Sequence, residues 1–425
     1  MNRRVFLGSL AAGAAVLRGR PARAQEKATV KLGLIGCGWY GGVVLDAAFK
    51  AGGVEVVGVC DVDSDRLEKT AQKYAAQQQG REPKTFTSWR DLLDAPGLQA
   101  VVIATPPHWH ALPFIEACRR GFDIYCEKPL SYDVREGRAM VDAAKASGRI
   151  VQVGFQRRQS AAVKQAARYI ADGTPGRILA VEAQINYSPR LADPTPKAPP
   201  PTLDWDAWCG PAPKLPYSEQ VGHFNWRLEK AYGNGHLVDW GIHWIDAVRT
   251  VLGLASPRAI QAAGGLYALE GRITTPDVLT AHFDFEQCPL TWRHRMIGSP
   301  EYAPETSIGM FFYGEKETIF LNDSRYVVVP AGQDAQKRVV EAANDQQADH
   351  VGEFLEAVRT RGPDSCPPED AYRSTSAVQL AMIALEAGGR IEWDARAEQV
   401  RDNPKASALL KREYRGPWTH PFAGA

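Results

Sequence analysis

The stretch Val-Lys-Leu-Gly-Leu-Ile-Gly-Cys-Gly-Trp-Tyr-Gly, residues 30–41, decides how the chain begins to fold. Its first six residues form a short apolar run, three spaced glycines follow, and a helical pattern then extends to about residue 50. A second apolar run, residues 54–60, ends at Asp61. This order of strand, glycine-rich turn, helix, strand and acidic residue predicts a βαβ unit that binds a dinucleotide.

The same alternation continues beyond Asp61. The pattern predicts helices over 64–79, 111–120 and 134–147, and strands near 85–86, at 100–104, at 123–126 leading into Glu127, and at 150–153. Strands that alternate with helices form a doubly wound parallel sheet. We therefore expect an α/β chain whose first domain, residues 28–153, is a Rossmann domain.

The remainder, residues 154–425, reads as a second α/β domain. Its expected elements are helices over 160–171, 236–252, 347–360 and 370–388, a strand over 177–185, and several β-rich runs between 258 and 329. Strands clustered without regular helices predict an open, mostly antiparallel sheet. Residues 189–216 contain nine prolines and are expected to form an ordered surface loop that rims the substrate cleft of its own or of a neighbouring subunit.

The amino terminus predicts export. The 425 residues are 44% hydrophobic and 23% charged, which is ordinary for a globular protein. Arg3-Arg4, an Ala/Gly-rich run and Ala22-Arg23-Ala24 are typical of a twin-arginine signal peptide over residues 1–24. A retained membrane anchor is the alternative, but residues 5–17 are too short and too glycine-rich to span a bilayer. We expect a periplasmic or secreted protein.

Cleavage after residue 24 would remove five arginines and no acidic residue, so that the charge changes from 50 − 49 to 45 − 49, or −4. A mildly acidic chain without a basic block does not favour a polyphosphate backbone, so we expect no nucleic-acid partner and, after cleavage, no membrane partner. The seven cysteines are odd in number and irregularly spaced, and Cys60, Cys118 and Cys126 fall on predicted core elements. We expect no disulfide framework.

The glycine loop has the spacing of a phosphate-binding turn. Gly36 permits the tight turn, Gly38 lets the backbone approach a pyrophosphate, and Gly41 allows close packing of the following helix. Asp61 lies 20 residues after Gly41, where a carboxylate accepts hydrogen bonds from ribose hydroxyls and repels a 2′-phosphate. The motif favours NAD over NADP, and a different nucleotide is the alternative.

Two later segments end predicted strands at the same edge of the sheet. Thr105-Pro106-Pro107-His108-Trp109-His110 follows one strand, and Glu127-Lys128-Pro129 follows the next. A lysine at the carboxyl end of a parallel strand reaches both a bound cofactor and its substrate. The His-x-His pair lacks a third ligand at useful spacing, so we expect it to pack around the cofactor and expect no metal.

Asp239 and His243 are four residues apart in a predicted helix and so share one face. A carboxylate beside an imidazole raises the imidazole pKa and orients the ring, as a general acid/base requires. The alternative is a structural Asp–His pair. The spacing alone does not choose between them.

Taken together, the glycine loop, Glu127-Lys128-Pro129 and Asp239-x-x-x-His243 resemble the glucose-fructose oxidoreductase/inositol dehydrogenase (Gfo/Idh/MocA) family. The match covers essentially the whole chain after the predicted signal peptide. With that signal peptide, the chain is similar to a secreted branch of the family. Residues 104–110, 152–158 (Gln-Val-Gly-Phe-Gln-Arg-Arg) and 204–211 (Asp-Trp-Asp-Ala-Trp-Cys-Gly-Pro) also carry the resemblance.

The resemblance implies that Lys128, Asp239 and His243 are catalytic. It also implies that the open sheet of the second domain forms the subunit interface of a homo-oligomer, a dimer or a tetramer. It implies a sugar, glycoside, cyclitol or sugar acid as substrate. The residues expected to contact the cofactor, NAD, are Gly36, Gly38, Trp39, Tyr40, Asp61, Thr105, Pro106, His108, His110, Glu127, Lys128, Pro129 and Gln156. Those expected to contact substrate are Lys128, Arg157, Trp226, Arg227, Asp239 and His243.

In the expected mechanism, hydride passes between a carbinol carbon and the nicotinamide, His243 removes the hydroxyl proton, and Lys128 steadies the oxygen. Lysine and histidine can exchange these roles, and Asp239 either orients His243 or binds a neighbouring hydroxyl. An exported enzyme must retain and regenerate its cofactor, which also allows redox-neutral elimination, hydrolysis or epimerisation through a keto sugar. A non-catalytic binding protein with the same fold is the third hypothesis.

Overall fold

The computed structural model describes residues 28–298, 303–332 and 336–422. The predicted signal peptide, residues 1–24, lies outside the described residues. Within the described ranges, no helix is long and apolar enough to cross a membrane.

The first sheet has six parallel strands, so the predicted doubly wound α/β fold is confirmed. Its spatial order is β3-β2-β1-β4-β5-β6. The strands are β1 (Val30–Ile35), β2 (Val54–Cys60), β3 (Lys84–Phe86), β4 (Ala100–Ile103), β5 (Asp123–Cys126) and β6 (Val151–Val153). The helices between them are α1 (Trp39–Ala51), α2 (Ser64–Gln77), α3 (Trp89–Leu93), α4 (Ala111–Arg120) and α5 (Val134–Ser147).

Burial explains why these short runs form strands. Every residue of β4, β5 and β6 is buried, as expected for parallel strands covered by helices on both faces. Asp63 caps α2 and Asp133 caps α5, each by accepting a hydrogen bond from a backbone N–H of the first turn. The carboxyl ends of β1, β2, β4 and β5 therefore share one edge, where ligands of such sheets bind.

The second sheet has ten strands in the order β14-β13-β12-β11-β7-β10-β9-β8-β15-β16. They are β7 (Ile178–Ile185), β8 (Ala259–Gly265), β9 (Val278–Asp284), β10 (Pro289–Arg295), β11 (Ile308–Gly314), β12 (Glu317–Leu321), β13 (Arg325–Pro330), β14 (Arg338–Glu341), β15 (Ile391–Asp394) and β16 (Gln399–Arg401). The pairing of β7 with β10 is parallel and the other recorded pairings are antiparallel, which confirms a mostly antiparallel sheet.

Six further helices belong to the second half of the chain: α6 (Ala161–Ala171), α7 (Trp205–Cys209), α8 (Ile242–Leu252), α9 (Gln346–Thr360), α10 (Pro368–Ala387) and α11 (Pro404–Ala408). Helix α9 crosses back to the first domain, where its apolar face packs against α1 and β1. A helix from the second half thus completes the core beneath the glycine loop.

Two expectations about the second half are corrected. The helix predicted over 236–252 begins with a π-helical turn, Leu237–Gly241, before α8. No element was predicted after residue 388, yet β15, β16 and α11 follow α10, and Ile391 and Trp393 of β15 bury alternate side chains near the edge of the sheet.

The seven cysteines are all buried free thiols in the part of the chain that the structure describes. They lie in the core as small apolar side chains, in keeping with their irregular spacing.

Candidate active site

The glycine loop has no room for side chains on its inner surface. Gly36 has φ +99°, and a Cβ there would lie 2.8 Å from the Ala104 and Thr105 backbone. A Cβ on Gly41 would lie 2.2 Å from the Gly36 oxygen. In contrast, a Cβ on Gly38 would meet no described atom within 4 Å. The loop therefore packs tightly against the protein at Gly36 and Gly41 and leaves free space at Gly38, where the backbone can approach a bound phosphate.

Asp61 lies at the end of β2 beside this loop. Its carboxylate accepts hydrogen bonds from the backbone N–H groups of Cys37, at 2.6 Å, and Asp63, at 2.9 Å. Burial raises the pKa of this carboxyl, and the two N–H donors oppose the shift. The acid is therefore tied to the loop and fixed in position.

A cavity of about 330 Å³ opens in front of the loop and Asp61. Seven residues predicted to contact the cofactor line it: Gly36, Gly38, Trp39, Tyr40, Asp61, Thr105 and Pro106. Trp226 and Arg227, which were expected to contact the substrate, line it from the opposite side. The buried Thr105 Oγ1 has no hydrogen-bond partner among the described residues, which leaves it available to a ligand.

Lys128 follows β5 and meets the π-helical turn of the second domain. Its Nζ donates to the Asp239 backbone oxygen at 2.7 Å and to Asp239 Oδ1 at 2.9 Å. Arg227 Nε lies 3.2 Å from Asp239 Oδ2. Burial by itself would raise the pKa of Asp239, but Lys128 and Arg227 hold it below its ordinary value. Asp239 is thus an ionised carboxylate shared by two cations. Arg227 is among the described residues that line the cavity, whereas Lys128 and Asp239 are not.

His243 lies on the first turn of α8, with its ring edge-on to Trp240 and Phe155 at 6.4 Å between centroids. Its Nδ1 is buried and has no partner in the described part of the chain. The pKa of His243 is well below its ordinary value because of burial, followed by the charges of Arg157 and Lys128. This corrects the expectation that Asp239 would raise it, because the Asp239 carboxylate is directed to Lys128 and Arg227.

Glu127 is buried directly beneath Lys128. One carboxylate oxygen accepts from the Lys128 N–H at 3.2 Å, and Oε1 has no partner in the described ranges. Burial raises the pKa of Glu127 to about 8. Its carboxyl packs against Gly154, where a Cβ would lie 2.6 Å from Oε1. Glu127 is therefore a neutral acid at the site under most conditions, and Gly154 leaves room for it.

Tyr40 connects the glycine loop to two glutamines. Its hydroxyl donates to Gln347 Oε1 at 2.9 Å and accepts from Gln156 Nε2 at 2.6 Å. Gln347 comes from α9, 307 residues away, and was not predicted. An amide in a helical pattern has no sequence signal that would mark it as a site residue.

His108 and His110 lie behind the cavity wall. His108 Nε2 is 2.9 Å from the Trp208 oxygen, while the two ring nitrogens of His110 lie 2.8 Å from the Pro129 oxygen and 2.9 Å from the Thr105 oxygen. Both histidines are buried, and the pKa of His108 is lowered by burial to about 3. They hold loops that surround the cavity, and Pro129 takes part through its carbonyl group.

Arg157 was expected to contact substrate and is largely occupied by the protein. Its Nε lies 2.8 Å from Asp323 Oδ1, and its guanidinium lies over the rings of Trp240 and Trp244, at 5.6 and 4.8 Å from their centroids. Trp226 packs under Arg227, 4.3 Å from the guanidinium carbon. The three tryptophan rings thus hold the guanidinium groups of Arg157 and Arg227 in position.

One group of possible metal ligands occurs in the described ranges, Asp133, Glu136 and His420, with ligand atoms within 4.8 Å of one another. Arg412 lies against it, donating to Glu136 from Nε at 2.9 Å. An arginine at this position supplies the positive charge that the two carboxylates require.

Profiles of one protein family match both halves of the chain. One profile, described as the oxidoreductase family's NAD-binding Rossmann fold, matches residues 30–155. A second, described as the C-terminal alpha/beta domain of the oxidoreductase family, matches residues 187–263 and 326–420. The chain belongs to this Gfo/Idh/MocA family. The first domain of this family member is accordingly an NAD-binding domain.

Curated relatives of this family member include levoglucosan dehydrogenase of Pseudarthrobacter phenanthrenivorans, 35% identical over 180 residues, 42% of this chain and 39% of that protein. Inositol 2-dehydrogenase of Salmonella typhimurium is 32% identical over 158 residues, 37% of this chain and 46% of that protein. The matched segments thus span less than half of these relatives.

Solved structures extend the likeness of fold over more of the chain. A levoglucosan dehydrogenase in complex with NADH and L-sorbose has a TM-score of 0.68 at 21% identity, covering 86% of this chain and 99% of that one. An aldose-aldose oxidoreductase from Caulobacter crescentus complexed with glycerol has a TM-score of 0.67 at 18% identity, with the same two coverages.

Proposed function

We propose that this protein transfers a hydride between a tightly held NAD cofactor and a hydroxyl-bearing carbon of a sugar, glycoside or cyclitol. The observation that carries the proposal is the ion pair between Lys128 and Asp239, whose second carboxylate oxygen contacts Arg227 of the cavity wall. Burial and the charges of Arg157 and Lys128 lower the pKa of the neighbouring His243. Relatives named for levoglucosan and inositol support the substrate class.

The residues present fit a nicotinamide dinucleotide. Gly38 leaves open space in front of the loop, Thr105 Oγ1 is unpartnered, and Asp61 offers a fixed carboxylate in the same cavity. A carboxylate at this position favours ribose hydroxyls over a 2′-phosphate, and therefore NAD over NADP. When bound, the nicotinamide supplies the hydride acceptor or donor.

The protein's own side chains handle the proton. The pKa of His243 is lowered by burial and by the charges of Arg157 and Lys128, so an unprotonated ring nitrogen of His243 accepts the proton of the substrate hydroxyl. Lys128 has three N–H donors and uses two on Asp239, which leaves one to stabilise negative charge on the substrate oxygen. Arg227 holds the second oxygen of Asp239, so that the anchor of Lys128 stays ionised and fixed.

Redox-neutral chemistry is the second candidate, because an exported enzyme must return its cofactor to the starting state within each cycle. Transient oxidation of a hydroxyl acidifies the neighbouring C–H, and elimination, hydrolysis or epimerisation follows before the hydride is returned. Such an enzyme would wash solvent deuterium into its product without net NADH, whereas a dehydrogenase would accumulate NADH.

The test begins with the purified protein, which is denatured so that released small molecules can be measured by absorbance and mass spectrometry. We expect NAD(H), or binding of added NADH on titration. Lys128→Met should keep that binding and lower hydride transfer by about 100-fold or more, because it removes the donor to the oxygen. Lys50→Met, at an exposed position, is the control. A wild-type protein that binds no nicotinamide contradicts the proposal.

We also propose export through the twin-arginine pattern and assembly into a homo-oligomer. Met310 and Phe312 of β11 face the core, so Phe311 and Tyr313 face the other side of the ten-stranded sheet, where Phe311 meets Phe320 at 5.0 Å. This apolar face supports self-association. Export is tested by cell fractionation of an Arg3→Lys, Arg4→Lys variant, which should stay in the cytoplasm. Assembly is tested by light scattering of the purified protein, which should show a dimer or a tetramer.

A further inference from the structure

The segment that joins the two domains contacts the helix that carries His243. We call residues 154–158 the joining turn. We propose that Asp246, through its ion pair with Arg158 of the joining turn, is a positioning residue that fixes His243 relative to the first domain. The inference rests on the proposed function, because it takes His243 to act on the substrate hydroxyl.

The joining turn is held against the first domain at the carboxyl end of β5. Gly154 N–H donates to the Cys126 oxygen at 2.8 Å. A Cβ on Gly154 would lie 2.6 Å from Glu127 Oε1, so the backbone lies directly against that carboxyl. Cys126 is the last residue of β5, and Lys128 follows it by two residues. The start of the joining turn is therefore fixed to the segment that carries Lys128.

Phe155 and Arg158 connect the joining turn to α8. The Phe155 ring lies edge-on to the His243 ring, with 6.4 Å between centroids. Arg158 Nε and Nη2 contact the two Asp246 carboxylate oxygens at 2.9 and 2.6 Å. The Arg158 guanidinium also lies 5.7 Å from the centre of the Phe155 ring. His243 and Asp246 are about one helical turn apart, so the joining turn contacts both ends of the same turn of α8.

The ion pair is buried and its direction is fixed. The Arg158 side chain is 7% exposed and the Asp246 side chain 1%. Two parallel N–H donors on two carboxylate oxygens set orientation as well as distance. Ser374 Oγ of α10 donates to Asp246 Oδ1 at 2.7 Å, and Arg158 Nη1 lies 2.7 Å from Asp370 Oδ2. The start of α8 therefore cannot rotate or slide without breaking several charged hydrogen bonds.

Regular helix geometry alone does not place His243. Helix α8 begins directly after the π-helical turn Leu237–Gly241, which interrupts the regular hydrogen-bond ladder between Asp239 and His243. A buried ion pair often adds little net stability compared with apolar side chains of similar volume. The Arg158–Asp246 pair is therefore better explained by the position that it imposes on α8 than by stability.

Position matters because a proton acceptor must lie within hydrogen-bond reach of the hydroxyl that loses its proton. Lys128 comes from the first domain and His243 from the second, so the spacing between them depends on contacts that connect the domains. Loss of the Arg158–Asp246 pair would let the start of α8 shift while every group that handles the proton stays present. Hydride transfer should then fall while binding of cofactor and substrate is kept.

The first experiment follows the His243 ring by NMR in the full chain labelled at histidine Cε1, with the signal assigned by its loss in His243→Gln. We expect Asp246→Asn to shift and broaden this signal. Arg158→Lys keeps the charge but loses the two-pronged contact, and should shift the signal as well. Asp123→Asn is the matched control and should leave it unchanged. Asp123 is a buried carboxylate 2.7 Å from Arg361, at the amino end of β5 and so at the opposite edge of the sheet from the site.

The second experiment measures kcat and KM with NAD⁺ and a panel of aldoses, glycosides and cyclitols, at a temperature where each variant is folded. We expect Asp246→Asn and Arg158→Lys to lower kcat by about 10- to 100-fold, with KM and the Kd of NADH within about twofold of wild type. A purely structural role would lower the melting temperature and leave kcat and the His243 signal of the folded protein unchanged.

An unchanged His243 signal in both Asp246→Asn and Arg158→Lys would overturn the proposal and leave the proposed function intact. Values of kcat in both variants equal to that of Asp123→Asn would do the same. If Asp246→Asn does not fold, Arg158→Lys decides the question by itself. A wild-type protein that binds no nicotinamide would instead overturn the proposed function, and the NMR comparison would still show whether the pair fixes the His243 ring.

Discussion

Replacement of Asp239 by asparagine tests how the two cations of the site are held. The carboxylate contacts Lys128 Nζ at 2.9 Å and Arg227 Nε at 3.2 Å, and only 8% of its side chain is exposed. Asparagine preserves the shape and one acceptor oxygen but removes the negative charge. Two largely buried cations would then lose their common partner.

Removal of one partner from a buried ion pair costs about 3–5 kcal/mol, and a hydrogen bond to a charged group contributes about 1.5–3 kcal/mol. Asparagine keeps one hydrogen bond, and Arg227 is 20% exposed, so part of that loss is recovered. We therefore expect Asp239→Asn to lower the free energy of unfolding by about 2–4 kcal/mol. Hydride transfer should fall by about 100-fold, because Lys128 loses its anchor.

The assay is urea unfolding of the cofactor-free protein, monitored by tryptophan fluorescence. Free energies of unfolding are compared between variants for which this free energy falls with urea concentration at the same slope. Asp94→Asn is the matched control: it removes a 71% exposed carboxylate that contacts Arg120 at 2.6 Å. Such a surface pair should contribute about 1 kcal/mol or less. If the two variants differ by under about 0.5 kcal/mol, the reasoning about the buried pair is refuted.

Four other outcomes are expected. The pKa of Glu127 is about 8, so the native protein keeps a proton that the unfolded chain releases above about pH 4.5, and stability falls as pH rises through this window. Between pH 6 and pH 9 the free energy of unfolding of wild type should fall by about 3 kcal/mol through this group, and Glu127→Gln should remove that fall. Gly154→Ala should lower the free energy of unfolding by about 1–3 kcal/mol, because the added Cβ would clash with the Glu127 carboxyl. Gly389→Ala, where a Cβ meets no atom within 4 Å, is the control and should lower the melting temperature less. His243→Gln should keep NADH binding and slow hydride transfer by about 10²–10⁴-fold in rapid mixing. Asp61→Ser should weaken NAD binding by about tenfold and narrow its preference over NADP, as measured by titration of each.

Much of the fold follows from local patterns. The apolar run before Gly36, the helix after it and the acid at Asp61 predicted the first βαβ unit, and regular alternation predicted the rest of the parallel sheet. Strands and helices have periods of 2.0 and 3.6 residues, which neighbouring side chains reveal. The strands after residue 388 escaped prediction because, unlike the equally short strands of the parallel sheet, they do not alternate regularly with helices.

The site was harder to predict than the fold. The sequence predicted that Lys128 and Asp239 belong to the site, but the i, i+4 spacing paired Asp239 with His243. In the structure the Asp239 carboxylate instead contacts Lys128, 111 residues away, and Arg227. Gln347 beside Tyr40 had no signal at all. The partner of a side chain depends on which distant segments fold against it.

By itself, the sequence determined that the chain contains a dinucleotide-binding parallel sheet, with a lysine at the carboxyl end of its fifth strand. Glycine spacing and hydrophobic period are local constraints, and they act on the backbone before distant contacts form. Only the tertiary structure decided that Ala207 and Trp208 of the proline-rich segment line the cavity, that burial raises the pKa of Glu127, and that burial and nearby cations lower the pKa of His243. Those properties depend on burial and on charges brought together from remote segments, because the energy of an ionised group is set by its three-dimensional surroundings.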